Sequence, residues 1–336
     1  MTQATHRRGL DDQLLGRAGE IAEAISEAFA TRVVGQERLR TALLVSMATE
    51  GHVLLESVPG LAKTLASATL AQAVGAAFVR IQCTPDLLPS DVIGTQVYDP
   101  RTHQFDTQLG PVHANVVLLD EINRSSAKTQ SAMLEAMQER QTSIAGVVHP
   151  LPRPFMVLAT QNPLDDEGTY VLPRAQMDRF LLKEIVDYPT ADNEMAVLDR
   201  IADGTLSRGG PPLEAVVGLS DLLTLQEATS AVHVDPSLKR YIVDLVRATR
   251  EPVTLKGDRM ADYVEVGASP RATIAFFDVA RALAVLHGRS YATPDDVHEL
   301  AHSVLRHRVH LSFEAQADRV SVESVIDAVL RTVPTP

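Results

Sequence analysis

The residues Ser57-Val58-Pro59-Gly60-Leu61-Ala62-Lys63-Thr64 follow the apolar run Val53-Leu54-Leu55 and lead into a helical stretch, Lys63 to Val74, closed by Gly75. A small-residue loop ending in Lys-Thr, with a strand before it and a helix after, has the pattern of a phosphate-binding loop. Backbone N–H groups of the loop and the helix start would face the phosphates. Lys63 would reach the β- and γ-phosphates, and the Thr64 hydroxyl would ligate magnesium. The pattern asks for glycine at 57 and 62, where this chain has Ser57 and Ala62. A Cβ at either place costs about 1 kcal/mol if the backbone there is strained. A plain strand–loop–helix connection is the alternative reading of this segment alone.

Sixty residues further on, Val116-Val117-Leu118-Leu119 ends in Asp120-Glu121. Two acids at the carboxyl edge of a buried strand stand where ligands bind in open α/β sheets. They repel each other unless one meets a cation and the other faces water. Asp120 as a direct or outer-sphere magnesium partner, with Glu121 orienting and activating a water, satisfies both.

The elements that must position these groups are legible around them. Leu14, Ala18, Ile21, Ile25, Ala28 and Phe29 recur at helical spacing, and a second helix pattern runs to about Glu50. Short apolar runs then follow at Val53–Leu55, Phe78–Ile81, Val116–Leu119, Phe155–Ala159 and Phe180–Val186. The middle three read as strands buried on both faces of a parallel sheet. Helical stretches between them, notably Lys63 to Val74 and Thr129 to Arg140, predict a right-handed, doubly wound α/β layer. From about Pro189 strand signals stop. Asp235-Pro236, Ser269-Pro270 and Thr293-Pro294 each place a capping side chain before a proline. Thr190 opens a helix ending at Gly204, and Gly288 ends the one begun at Pro270. Links at Gly209–Pro212 and Lys256–Met260 join these helices.

Composition limits the function. Thirty-one Lys and Arg against 43 Asp and Glu give a net charge of −12 over 336 residues, which argues against a surface built for nucleic acid. Aromatic residues make up 4% and Trp is absent, which disfavours base-stacking platforms. The single cysteine, Cys83, excludes an internal disulfide framework and reads as a core residue. No run approaches the roughly 20 apolar residues of a membrane helix, and the N-terminus lacks an apolar signal core, so a cytoplasmic protein is expected. His298-Glu299-Leu300-Ala301-His302 matches a zinc-peptidase helix pattern. However, Val297, Leu300, Ala301 and Val304 already form a core stripe there. The longer motif also fails at Leu305 and Arg308, so zinc hydrolysis is not expected.

Over nearly its whole length the chain resembles the MoxR family of AAA+ ATPases. The resemblance is carried by Val34-Gly35-Gln36-Glu37, His52 to Thr64, Thr84 to Asp91, Asp120 to Arg124 and Lys128 to Glu139. It continues through Ala159 to Pro163, Glu167 to Tyr170, Asp178-Arg179-Phe180 and Gly267 to Ala272. The family's alanine accounts for Ala62; Ser57 and Arg174 depart from its usual glycine and acidic residue. The resemblance implies a doubly wound parallel-sheet P-loop AAA+ domain over residues 1–188 and a smaller all-helical lid domain over 189–336. It also implies an insert at about 84–110 and a hairpin at about 141–154.

The resemblance assigns roles as well. Nucleotide contacts fall on Val34, Gly35, Ser57, Val58, Pro59, Gly60, Leu61, Ala62, Lys63, Thr64, Leu65 and Asp120, with magnesium on Thr64 and Asp120. Asn162 resembles sensor 1, which positions the attacking water. Arg179 resembles the arginine finger given by a neighbouring subunit, an effect worth about 10³–10⁵ in rate. Arg271 resembles sensor 2. It lies on a first helical turn, where the macrodipole disfavours a cation unless an anion faces it. ATP and Mg²⁺ are thus the implied cofactors, and Glu121 the activating base. The implied partners are a homo-oligomeric ring (a hexamer), a von Willebrand factor A-domain protein and a protein client, with no DNA. Three alternatives are a nucleotide-gated switch with weak hydrolysis, a motor subunit like that of magnesium chelatase, and a DNA helicase of the same broader clade.

Overall fold

The computed structural model describes residues 10–58, 60–163, 170–206, 213–251 and 262–336. Pro59, the stretch containing Glu167, Gly168 and Thr169, and the links expected at 209–212 and 256–260 lie outside the described residues. The chain divides into two compact units: Ala24–Phe180 with Glu184–Leu222, and Met1–Glu23 with Leu181–Lys183 and Leu223–Pro336. Packing therefore does not divide at 188–189, where strand signals stop. The segment after 189 is tied back to the sheet-bearing unit. Arg200 Nη1 donates to Ala30 O at 2.8 Å, and the Val216 N–H donates to Ala73 O at 2.9 Å.

In chain order the elements begin with α1 (Asp12–Arg32), α2 (Glu37–Ala48), β1 (Val53–Glu56), α3 (Lys63–Ala73) and β2 (Phe78–Gln82). Then come α4 (Pro89–Ile93), β3 (Gly94–Asp99), β4 (Gln104–Leu109), β5 (Val116–Asp120) and α5 (Ala127–Glu139). After these lie β6 (Gln141–Ile144), β7 (Val147–Pro150), β8 (Met156–Gln161), α6 (Arg174–Met177), β9 (Leu182–Ile185) and α7 (Ala191–Ala202). Five strands form one sheet in the order β2-β5-β8-β1-β9. The pairs β2/β5, β5/β8 and β1/β8 are parallel, as a doubly wound fold requires.

Leu54, Val117, Leu119, Val157 and Ala159 share one core cluster with Met133, Leu134 and Met137 of α5 and with Cys83. The alternate residues Val53, Leu55, Val116, Leu118 and Leu158 are buried as well, so these strands are covered on both faces. β2 corrects the expectation. It is an edge strand whose Arg80 and Gln82 are exposed, so Phe78–Ile81 is a half-solvated alternating strand rather than a doubly buried one.

The two expected insertions are short hairpins. β3 pairs antiparallel with β4 after the single-turn α4. β6 pairs with β7 across a two-residue turn in which Ala145 and Gly146 both have positive φ, 50° and 82°, the geometry that matches strand twist.

The other unit is built from α8 (Leu219–Ala231), α9 (Pro236–Arg250), α10 (Pro270–Leu286), α11 (Pro294–Glu299), α12 (Ala301–Leu305), α13 (Phe313–Ala317) and α14 (Val322–Thr332). α8 begins just before the division at Leu223. The expected caps are in place. Asp235 Oδ1 accepts the Ser237 N–H at 2.8 Å and Ser269 Oγ accepts the Arg271 N–H at 3.0 Å. Thr293 is bonded to Asp296 Oδ2 through its N–H at 2.7 Å. Not every residue past Pro189 avoids strands, however. β10 (Val264–Val266) and β11 (His310–Leu311) form a small antiparallel ribbon. Strands of three and two residues are too short to show a period, so the ribbon leaves no sequence signal.

Candidate functional site

Three strand ends converge because β8 lies between β1 and β5. On one side Leu55 registers with Thr160 and Glu56 with Gln161; on the other Leu119 registers with Ala159. The loop after β1, the acidic pair ending β5 and Asn162 after β8 therefore leave the sheet at one carboxyl edge. The Ser57 N–H donates to Gln161 O at 3.1 Å, which joins the loop to the root of Asn162. Asn162 is buried.

The loop passes through Gly60, at φ +90°, and Ala62, at φ +53°. The strain anticipated at 57 and 62 falls on 62 alone, because Ser57 is not among the residues with positive φ. A left-handed alanine costs on the order of 1 kcal/mol. Ala62 is the N-cap of α3 and supplies no side-chain cap, whereas Ser126, Thr190, Asp235 and Ser269 cap α5, α7, α9 and α10. The first N–H groups of α3 are thus left for an anion, with Thr64 on the same turn. Lys63 Nζ donates to Ser57 O at 3.3 Å. Burial holds the Lys63 ammonium below its usual pKa, opposed by the charges of Asp120 and Glu121.

Asp120 is buried, and both its oxygens are engaged. Thr160 Oγ1 donates to Oδ1 at 2.7 Å, while Arg80 donates to Oδ2 through Nε at 3.0 Å and Nη2 at 2.5 Å. Glu121 has a left-handed backbone, φ +58°, and its N–H donates to Thr160 Oγ1 at 2.8 Å. Its Oε2 accepts from Gln82 Nε2 at 3.1 Å and pairs with Arg124 Nε at 3.2 Å. Adjacent carboxylates are thereby turned apart, each toward its own guanidinium. The Thr64 hydroxyl and the Asp120 carboxylate are hard oxygen donors, a set that suits Mg²⁺ completed by phosphate and water. A cationic group already sits on Asp120 Oδ2.

Beside the loop lies a cavity of about 400 Å³, within the range of small-molecule sites. Val34, Gly60, Leu61, Ala62 and Leu65 line one side, and Pro189, Val197 and Leu198 another. Gly35 sits at φ +67°, a left-handed conformation that favours glycine, and a Cβ there would also push aside the Asn193 side chain, whose Nδ2 lies 2.1 Å away. Val34, Leu61 and Leu65 give this cavity an apolar wall beside the loop.

Arg179 lies away from these groups. It follows α6, and its Nη1 donates to Leu134 O at 2.9 Å. It borders a polar cleft of about 410 Å³ with Ser131, Glu135, Gln138, Glu139 and Gln176. Arg271 is exposed on the first turn of α10 in the other unit.

The histidine motif separates rather than gathers. The helix breaks at Leu300, which ends α11 and begins α12. His298 Nε2 pairs with the Tyr241 hydroxyl at 2.5 Å, and His302 Nε2 with Asp327 Oδ1 at 3.0 Å. Cys83 is buried, and burial pushes its thiol up to about 12.

Arg80, Gln82, Thr160, Arg124 and the α7 residues were not predicted. Arg80 and Gln82 carry a signal in retrospect: they are the polar positions of an alternating strand. Thr160 and α7 carry none, because their contacts come from 40 and more than 130 residues away.

Comparison with known proteins agrees with this arrangement. Residues 52–182 match the ATPase family associated with various cellular activities (AAA), and residues 257–329 match the AAA lid domain. Chaperone MoxR1 of Mycobacterium tuberculosis is 48% identical over 304 residues, covering 90% of this chain and 79% of that protein. YeaC of Bacillus subtilis is 41% identical over 326 residues, covering 96% and 95%. A crystal structure from Cytophaga hutchinsonii superposes with a TM-score of 0.89 at 41% identity, covering 96% of this chain and 97% of that one. No described helix is long and apolar enough to cross a membrane.

Proposed function

The chain belongs to the MoxR family of AAA+ ATPases, and from that premise we propose that it binds ATP beside Lys63 and hydrolyses it to remodel a protein client. The observation that carries the reading is the convergence of an uncapped helix start, Lys63 and two differently held carboxylates at one sheet edge. The backbone N–H groups of α3 and the Lys63 ammonium hold the β- and γ-phosphates. Magnesium, held by Thr64 and Asp120, would neutralise charge on the transferring phosphoryl group. Glu121 takes a proton from the attacking water, which Asn162 positions, and the γ-phosphoryl leaves ADP as inorganic phosphate. The adenine lies in the cavity beside Val34 and Leu65, against Val197 and Leu198, with Gly35 next in the chain to Val34. Arg271 meets the phosphates, and Arg179 acts on the nucleotide of an adjacent protomer.

The working form would be a homo-oligomeric ring, a hexamer, in the cytoplasm, acting with a von Willebrand factor A-domain partner on the maturation of a client or on metal insertion into it. The name of the Mycobacterium tuberculosis relative supports the chaperone reading. Titrating MgATP into the folded chain, followed by steady-state phosphate release, tests the proposal. Heat and turnover are expected; absence of heat overturns it. Binding without turnover would favour the nucleotide-gated switch. A magnesium-chelatase-like motor would instead need a porphyrin substrate for its activity.

A further inference from the structure

The mechanism leaves Arg80 without a role, yet it makes two hydrogen bonds to Asp120. β2 is the sheet's edge strand, with Arg80 in register with Leu118 and Gln82 in register with Asp120. Period-two alternation puts Leu118 and Asp120 on one face of β5 and Arg80 and Gln82 on the matching face of β2. Arg80 therefore reaches Asp120 as a diagonal cross-strand neighbour. Nε and Nη2 converge on the single oxygen Oδ2 at 3.0 and 2.5 Å, and Gln82 Oε1 accepts from Nη2 at 2.8 Å. The other oxygen, Oδ1, is taken by Thr160. The Arg80 side chain is about half exposed, at 47%, while that of Asp120 is 12% exposed, so Arg80 has room to move into solvent and Asp120 does not.

We propose that Arg80 is a built-in competitor for the metal: its guanidinium holds Asp120 Oδ2 and must yield that oxygen before magnesium is held there directly. The proposal rests on the nucleotide–magnesium reading of this site. Thr160 donates to Oδ1 and two guanidinium N–H groups fill Oδ2, so a divalent ion bound directly at Oδ2 displaces at least one of those bonds and meets the positive charge of Arg80. Arg80 thereby raises the magnesium concentration needed to load the site. It also keeps the buried acid paired, since a buried carboxylate without a cationic partner is costly. Gln82, bonded to both Arg80 and Glu121, carries the release toward the second carboxylate.

The test is equilibrium binding of a fluorescent ATP analogue to the full chain as free Mg²⁺ is varied, in wild type, Arg80→Ala and Arg80→Lys. In Arg80→Ala the half-saturating Mg²⁺ should fall about threefold to tenfold, as expected for loss of a charged competitor at a half-exposed pair. Affinity for the analogue in EDTA should not change. Arg80→Lys, a point charge without the paired grip, should fall by a smaller factor, and it decides the matter if the alanine variant does not fold. An unchanged or higher half-saturating Mg²⁺ overturns the proposal. Weakened binding in EDTA also overturns it, because Arg80 would then be a phosphate ligand. Wild-type protein that does not bind the analogue would instead overturn the reading of the site itself.

Discussion

Thr160 stands between the two carboxylates, donating to Asp120 Oδ1 at 2.7 Å while the same oxygen accepts the Glu121 N–H at 2.8 Å. One hydroxyl on β8 thus fixes the rotamer of one acid and the strained backbone of the next. Thr160→Val keeps the shape but leaves a buried carboxylate oxygen and a backbone N–H short of a partner, at a cost of about 1–3 kcal/mol. Turnover should fall about tenfold at saturating nucleotide, and Thr160→Ser should recover most of it. Equal turnover in Thr160→Val and wild type would show that Thr160 does not position the acidic pair for hydrolysis.

Glu121→Gln removes the proton acceptor but keeps a side chain that can pair with Gln82. Hydrolysis should drop by at least about 10²-fold, the scale of a general-base contribution. Nucleotide affinity should hold within about twofold. Titration calorimetry and phosphate release on the same preparation separate the two; parallel loss of both contradicts the base role.

Arg179→Ala should leave nucleotide affinity unchanged and lower the turnover of the assembled ring by about 10³-fold. The contact with Leu134 O joins Arg179 to α5, so thermal melting should be recorded alongside. A melting shift with full ring activity would make Arg179 a packing residue.

His52 predicts a pH dependence of stability. Its ring links two elements: the Val157 N–H donates to Nδ1 at 3.0 Å, and Nε2 faces Met137 O at 3.2 Å. Burial holds its pKa down from 6.5 to about 4. The unfolded chain therefore binds a proton below pH 6.5 that the folded chain refuses until about pH 4. Stability is fully present above pH 6.5 and declines as pH falls through that window, by on the order of 3 kcal/mol in total. Urea midpoints across this range should fall in wild type and less in His52→Gln. Identical slopes would locate the acid sensitivity elsewhere.

Much of this architecture could be read before any coordinates. Val53–Leu55, Val116–Leu119 and Phe155–Ala159 are apolar because β1, β5 and β8 are covered on both faces, and Lys63-Thr64 and Asp120-Glu121 follow directly from their ends. Helix starts at Thr190, Asp235 and Ser269 were legible because a cap is a local device. Contacts between distant segments were not. Phe78–Ile81 reads as buried on both faces although it contains Arg80, because whether a strand lies at an edge depends on its neighbour. The apolar wall from α7 was invisible because Val197 and Leu198 look like any helix stripe until the chain returns them beside Leu65. The strain expected from a Cβ at 57 or 62 falls on Ala62, which carries the left-handed turn itself.

The central place of β8 has a consequence for how damage would show itself. With β1 on one flank and β5 on the other, this strand is the datum from which the loop, the acidic pair and Asn162 are all set out. A small error in its seating, such as one methylene shaved from the fully buried Leu158, is copied to three chemical groups at once. Enzymatic assays would register the misalignment before a melting curve does.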